Sequence, residues 1–161
     1  MAILGEGTKI RTVALLPRHR LFFGKQSQSM TPNHTETTLR ATDNTSLFVQ
    51  RWAPAGEPRA ELLVVHGYAE HSGRYREFAG RLANHGFATT ALDLRGHGAS
   101  SGKRGFVTRF SDYQIDLDAG FSQMKAKKRF VLGHSAGGLI VLDYLAARNP
   151  SLAGAIVLSP L

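Results

Sequence analysis

A chain of 161 residues has room for one domain and a sizeable core, and 42% hydrophobic, 20% charged and 9% aromatic residues are the composition of a globular protein rather than a disordered or fibrous one. Cysteine is absent, which excludes disulfides, thiolate catalysis and Cys-ligated metal centres and leaves the redox compartment open; no apolar run approaches the roughly 18 residues of a membrane-spanning helix. Half of the net charge of +8 lies in residues 1–29, where Lys9, Arg11, Arg18, Arg20 and Lys25 are opposed only by Glu6.

Residues 1–30 therefore read as a basic leader ahead of a folded part at 31–161. The leader lacks the apolar core of a secretory signal, because Val13-Ala14-Leu15-Leu16 is stopped by Pro17. A disordered basic extension and a misplaced start ahead of Met30 are the plainer readings. Its acid-poor, Arg-bearing composition also fits an organelle transit peptide. The expected location is the cytoplasm, with organelle targeting through the leader as the alternative.

The pattern turns regular at Glu36. Thr37–Ala41 and Leu47–Trp52 flank a turn at Asp43-Asn44 and predict a β-hairpin. Glu61–Val65 is a short apolar run ending in His66-Gly67, as in a strand buried on both faces of a parallel sheet. Tyr75, Phe78, Ala79 and Leu82 share one helical face, with Ser72 as the N-cap and Gly86 as the stop. Phe87–Leu92 reads as a second buried strand, followed by a glycine-rich loop from Asp93 to Gly105. Ser111 and Gln114 form a capping box for a helix that buries Tyr113, Leu117, Phe121 and Met124, weakened at Gly120 by about 1 kcal/mol relative to Ala. That helix ends near Lys128, shortened by a tight link to the strand Arg129–Leu132. Ala136–Arg148 is apolar nearly all round and predicts a buried helix closed by Asn149-Pro150, and Gly154–Ser159 is a fourth parallel strand. Strands alternating with helices make this an α/β protein with a mostly parallel sheet. The basic run Lys125, Lys127, Lys128, Arg129 carries no interleaved aromatics and sits at an expected helix end, so nucleic acid is not an expected partner.

Gly133-His134-Ser135-Ala136-Gly137 fits G-x-S-x-G between a strand and a helix, where the glycines allow a sharp turn that exposes the serine above the sheet. Ser135 is the candidate nucleophile. A tetrahedral intermediate needs two fixed donors for its oxyanion, and the backbone N–H groups of Ala136 and Tyr68 are nominated. Gly96–Gly102 misses G-x-G-x-x-G by one residue, and neither a phosphate-binding G-x-x-x-x-G-K-[ST] nor H-E-x-x-H occurs.

His66–Tyr75, Asp93–Gly102 and Gly133–Gly138, taken together and in this order, resemble the monoacylglycerol lipase and lysophospholipase branch of the α/β-hydrolases, the serine aminopeptidase S33 type, from about Glu36 onward. The resemblance implies the N-terminal half of the α/β-hydrolase fold: an antiparallel hairpin, then mostly parallel strands flanked by helices, truncated before the lid and the C-terminal strands. It implies hydrolysis of carboxylic esters of mono-acylated glycerolipids without metal or cofactor. The expected partner is a small lipid or ester, met in the cytoplasm or through peripheral contact with a membrane. His66, His71, His97 and His134 belong to the resembling motifs and are expected to be scaffold residues.

The family's chain order is Ser, then acid, then His. All seven histidines of this chain precede Ser135, and Asp143 is the one carboxylate after it, so triad acid and base are absent from this chain. The strand Ala155–Leu158 is accordingly expected to present an unpaired edge. The alternatives to an ester hydrolase are a non-catalytic binding module built on the same half-sheet, and a peptidase or different esterase of the same fold.

Overall fold

The computed structural model describes residues 13–14 and 33–160. The strands are β1 (Val13–Ala14), β2 (Asn33–Arg40), β3 (Ser46–Ala53), β4 (Glu61–Val65), β5 (Ala88–Leu92), β6 (Arg129–His134) and β7 (Gly154–Leu158). The helices are α1 (Arg76–Asn84), preceded by a 3-10 turn at Ser72–Tyr75, α2 (Asp112–Ser122) and α3 (Ala136–Arg148). One sheet has the order β1-β7-β6-β4-β5-β3-β2. The β2–β3 and β3–β5 pairs are antiparallel and the others parallel.

β4 lies at the centre, and every one of its residues is buried. Alternation explains why it reads as a continuous apolar run: Leu63 and Val65 face a core shared with α2 and α3, while Leu62 and Val64 face one shared with α1. β2, at the edge, is polar and mostly exposed, which protects that edge from pairing with another chain.

Several local expectations are corrected. Ser72 does not cap α1. Its N–H donates to Asp93 Oδ1 (2.6 Å) and its hydroxyl accepts from Gln50 Nε2 (2.7 Å), so the residue is drawn into the sheet and α1 starts four positions later. Phe78 is 39% exposed rather than on the buried face. Ser111 makes no capping bond; Gln114 reaches across to Asp143 on α3 instead (2.8 Å). α2 ends at Ser122, well before Lys128, because the buried Glu61 carboxylate accepts the N–H groups of Lys125 and Ala126 while pairing with Arg51 at 2.6 Å. α3 is not buried all round, since Leu139 and Leu142 are 40% and 36% exposed. The edge of β7 is not open along its length, because Val13 and Ala14 pair with Ala155 and Ile156. Those two leader positions lie in the sheet, and the remainder of the leader falls outside the described residues.

Gly120 is a requirement of packing as much as a weak point in a helix. A Cβ there would lie 2.8 Å from Leu92 Cδ2 and 2.9 Å from Leu63 Cδ1, both fully buried side chains. Helix propensity favours Ala by about 1 kcal/mol, whereas overpacking a tight core costs about 1–3 kcal/mol. Gly120→Ala is therefore expected to lower the unfolding free energy in urea by about 1 kcal/mol; a gain would show that Leu63 and Leu92 move aside freely.

Candidate active site

β6 runs into α3 through Ser135, which adopts φ 53° and ψ −122°, a conformation L-residues rarely take. Holding a non-glycine residue there costs about 1–3 kcal/mol, and the surroundings supply the restraint. The Ser135 N–H donates to the Leu158 carbonyl on β7 (2.9 Å), and its own carbonyl accepts from the N–H of Gly138 (2.8 Å). A Cβ on Gly133 would stand 2.4 Å from the Gly137 carbonyl oxygen, and one on Gly137 would stand 2.2 Å from the Val65 oxygen. Both motif glycines are thus required by backbone-to-backbone approach. The outcome is a half-buried serine at the N-terminus of α3, where free N–H groups and the helix dipole favour negative charge.

The end of β4 borders the same point. A Cβ on Gly67 would lie 3.3 Å from Ser135 Cβ and 3.4 Å from the His134 oxygen, so the two strand ends touch. Gly67 opens a turn closed twice by Glu70: the Glu70 N–H donates to the Gly67 carbonyl (3.2 Å), and the Gly67 N–H donates to Glu70 Oε2 (3.1 Å). Tyr68 lies inside this turn, next to Gly67. Its side chain points away into solvent and donates to the Gly105 carbonyl (3.3 Å). Ala136 follows Ser135 directly as the first residue of α3.

Glu70 carries a role that sequence reasoning did not give it. The same oxygen that holds Gly67 lies 3.5 Å from His134 Nδ1 and 3.4 Å from the Tyr75 hydroxyl. Burial pushes the Glu70 carboxyl up, but the Gly67 N–H and the His134 ring outweigh it and hold the group below the ordinary carboxylate range. The signal was a carboxylate three residues after the glycine that ends β4, a spacing suited to closing a turn.

The remaining motif residues build scaffold. His66 is fully buried, with Nδ1 2.7 Å from the Gly67 carbonyl and Nε2 accepting from the Leu94 N–H (3.0 Å), which assigns the proton to Nδ1. Burial holds its pKa below the usual value, so it stays neutral. Asp93 accepts from the N–H groups of Ser72 and Ala99, and Gly98 passes so close that any Cβ would collide with its carboxylate. Arg95 bridges Asp116 on α2 (2.7 Å) and Asp43 in the hairpin turn (2.8 Å). His97 sits edge-on to His66 and Tyr68 with Nδ1 3.0 Å from the Arg95 carbonyl. Among the described residues, no histidine or carboxylate is hydrogen-bonded to the Ser135 hydroxyl, Asp143 is engaged by Gln114, and no cluster of three His, Asp or Glu could hold a metal ion. A cleft of about 440 Å³ opens beside the Gly67 turn, lined by Tyr68, Glu70, His97 and Arg104 among others.

The family model described as "Serine aminopeptidase, S33" matches residues 56–161, which contain the elbow, the Gly67 turn and the Asp93 loop. The chain belongs to this family of α/β-hydrolases. Within it, the chain is 42% identical over 112 residues to a monoacylglycerol lipase of Mycolicibacterium smegmatis, covering 67% of this chain and 40% of the relative. It is 38% identical over 123 residues to the human monoglyceride lipase, covering 74% and 41%. The chain thus spans about two-fifths of the length of these lipases. In fold it matches a thermostable carboxyl esterase from Bacillus coagulans with a TM-score of 0.64 at 22% identity, over 80% of this chain and 44% of that one. An α/β-hydrolase from a Penicillium species superposes with a TM-score of 0.70 at 21% identity, over 80% and 46%.

The depressed carboxyl of Glu70 fixes a pH dependence for this S33-family chain. A lowered folded-state pKa contributes stability that is complete above the unfolded pKa and is lost as pH falls through the folded one. Glu70→Gln is expected to lose about 1 kcal/mol at pH 7, since Gln can still accept from Gly67 but carries no charge. The gap to wild type should close as acid protonates Glu70. Urea titrations at neutral and acidic pH check this, and a gap of equal size at both would refute an ionised Glu70.

Proposed function

We propose that this chain carries the nucleophile and oxyanion hole of a serine hydrolase acting on carboxylic esters of mono-acylated glycerolipids. Ser135 is the nucleophile, and the backbone N–H groups of Tyr68 and Ala136 are the donors that receive the developing oxyanion. The observation that carries the reading is the strained backbone of Ser135 at the strand-to-helix turn, with the end of β4 packed against it. Strain of this kind is frequent at functional sites, where the surrounding structure holds it in place. The lipases of Mycolicibacterium smegmatis and human origin support the substrate class.

Attack by Ser135 Oγ on the ester carbonyl requires a base to take its proton, and an acid to hold that base. No histidine follows Ser135 in these residues, and among the described ones none is hydrogen-bonded to its hydroxyl. With oxyanion hole and binding alone, the rate advantage over water is about 10³–10⁴ at best.

The second reading is a non-catalytic binding module built on the half-sheet. A peptidase or another esterase is the third, in keeping with the name of the family model. A fluorophosphonate probe decides between activity and its absence. Labelling that disappears in Ser135→Ala supports an activated serine; folded protein that is not labelled counts against catalysis by these residues alone. Labelled protein that cleaves peptide amides in preference to monoacylglycerols would move the assignment to the peptidase.

A further inference from the structure

Residues 103–110, Lys103-Arg104-Gly105-Phe106-Val107-Thr108-Arg109-Phe110, connect the Asp93 loop to α2 and hold three cations and no acid. Phe106 is 50% exposed and Phe110 41%. Tyr68, 62% exposed, is tied to the same loop through its bond to the Gly105 carbonyl, with its ring so close that a Cβ on Gly105 would lie 2.7 Å from the hydroxyl. Half of the large apolar side chains left exposed among the described residues therefore gather around one loop. Scattered exposed apolar residues need no account, but a cluster does.

The charges around these rings point to the partner. Lys103 Nζ stands 4.7 Å from the Phe106 ring centroid, and Arg104 spends one N–H on the Gly98 carbonyl (2.8 Å); neither has a carboxylate partner among the described residues. Arg109, the third cation, pairs with Asp112 at 3.1 Å. Aromatic tips flanked by unneutralised cations suit the boundary between lipid headgroups and acyl chains, where rings enter the apolar layer and cations meet phosphate. A protein partner would need a shaped apolar surface and acids opposite each cation; a lipid surface needs only the arrangement seen here.

We propose that loop 103–110, with Tyr68, is an interfacial docking surface for anionic membranes. Phe106 and Phe110 enter the interface, and Lys103 and Arg104 bind lipid phosphates. Tyr68 follows Gly67, the residue packed against Ser135, so docking sets the nucleophile at the membrane surface. This use of the surface rests on the hydrolase reading; the docking itself does not.

The test is flotation of the whole chain with phosphatidylcholine vesicles containing or lacking phosphatidylglycerol. The basic leader is present in every variant and so cancels from the comparison. Phe106→Ser with Phe110→Ser is expected to weaken binding to anionic vesicles at least about ten-fold, and Lys103→Gln with Arg104→Gln to abolish the preference for phosphatidylglycerol. Phe106→Trp keeps an aromatic ring and gives a direct readout against the buried Trp52: its emission should shift to the blue on anionic vesicles and be quenched by brominated acyl chains. Vesicle binding unchanged by both pairs of substitutions would place docking in the leader or elsewhere and overturn the proposal, as would an unshifted, unquenched Phe106→Trp. Failure of Ser135 to react with a fluorophosphonate would sink the hydrolase reading and leave these outcomes standing.

Discussion

The rest of the architecture depends on backbone approaching backbone where α3 begins. The first turn of the helix lies on the ends of β4 and β6 at distances that only glycine permits, at Gly133 and Gly137. This contact forces the reversal at Ser135 into its unusual conformation, and β7 secures it by taking the Ser135 N–H. It also draws the Gly67 turn against the serine. The turn at Ser135, the N-terminus of α3 and the Gly67 turn are thus brought together by one close backbone contact between helix and strand ends.

Around that contact, polar residues do what a mostly apolar core cannot, which is to hold irregular loops at defined positions. Asp93, His66 and Ser72 are almost fully buried, yet Asp93 and His66 accept from main-chain N–H groups of other segments and Ser72 accepts from the Gln50 side chain. Arg95 joins the hairpin turn to α2, and Glu61 joins β3 to the link before β6. Removing one partner from a mostly buried pair such as Arg95–Asp116 typically costs about 3–5 kcal/mol, because the other charge is left without compensation. The loops next to the serine are held by the bonds of Asp93 and His66.

Hydrophobic periodicity made β3, β4 and α3 legible from residue types alone, because their neighbours bury most of one or both faces and so impose the pattern. The elbow was legible for a different reason, since its glycines answer to sterics at particular positions. Helix ends were read poorly. Ser72 and Ser111 looked like caps, but the Asp93 carboxylate claims the backbone of the first and the second makes no capping bond. The end of α2 was invisible locally because it is dictated by Glu61, a residue distant in sequence. Glu70 was visible as part of a motif, but its hold on the Gly67 turn and its approach to His134 required the fold to bring two strand ends together.

The strand order places β1 at one border of the sheet and β2 at the other, although they are neighbours in sequence. Among the described residues β1 pairs with β7 alone, so its place in the sheet depends on a strand far along the sequence. Pairing between Val13 and Ala155 closes a loop that contains the strands β2 to β6 and belongs to the class of contacts that form late, once the entropy of closure has been offset by the parallel core. β1 is therefore expected to join the sheet after the strands that lie between it and β7 in sequence, and until it does, the border of β7 that it covers is open to pairing with another molecule.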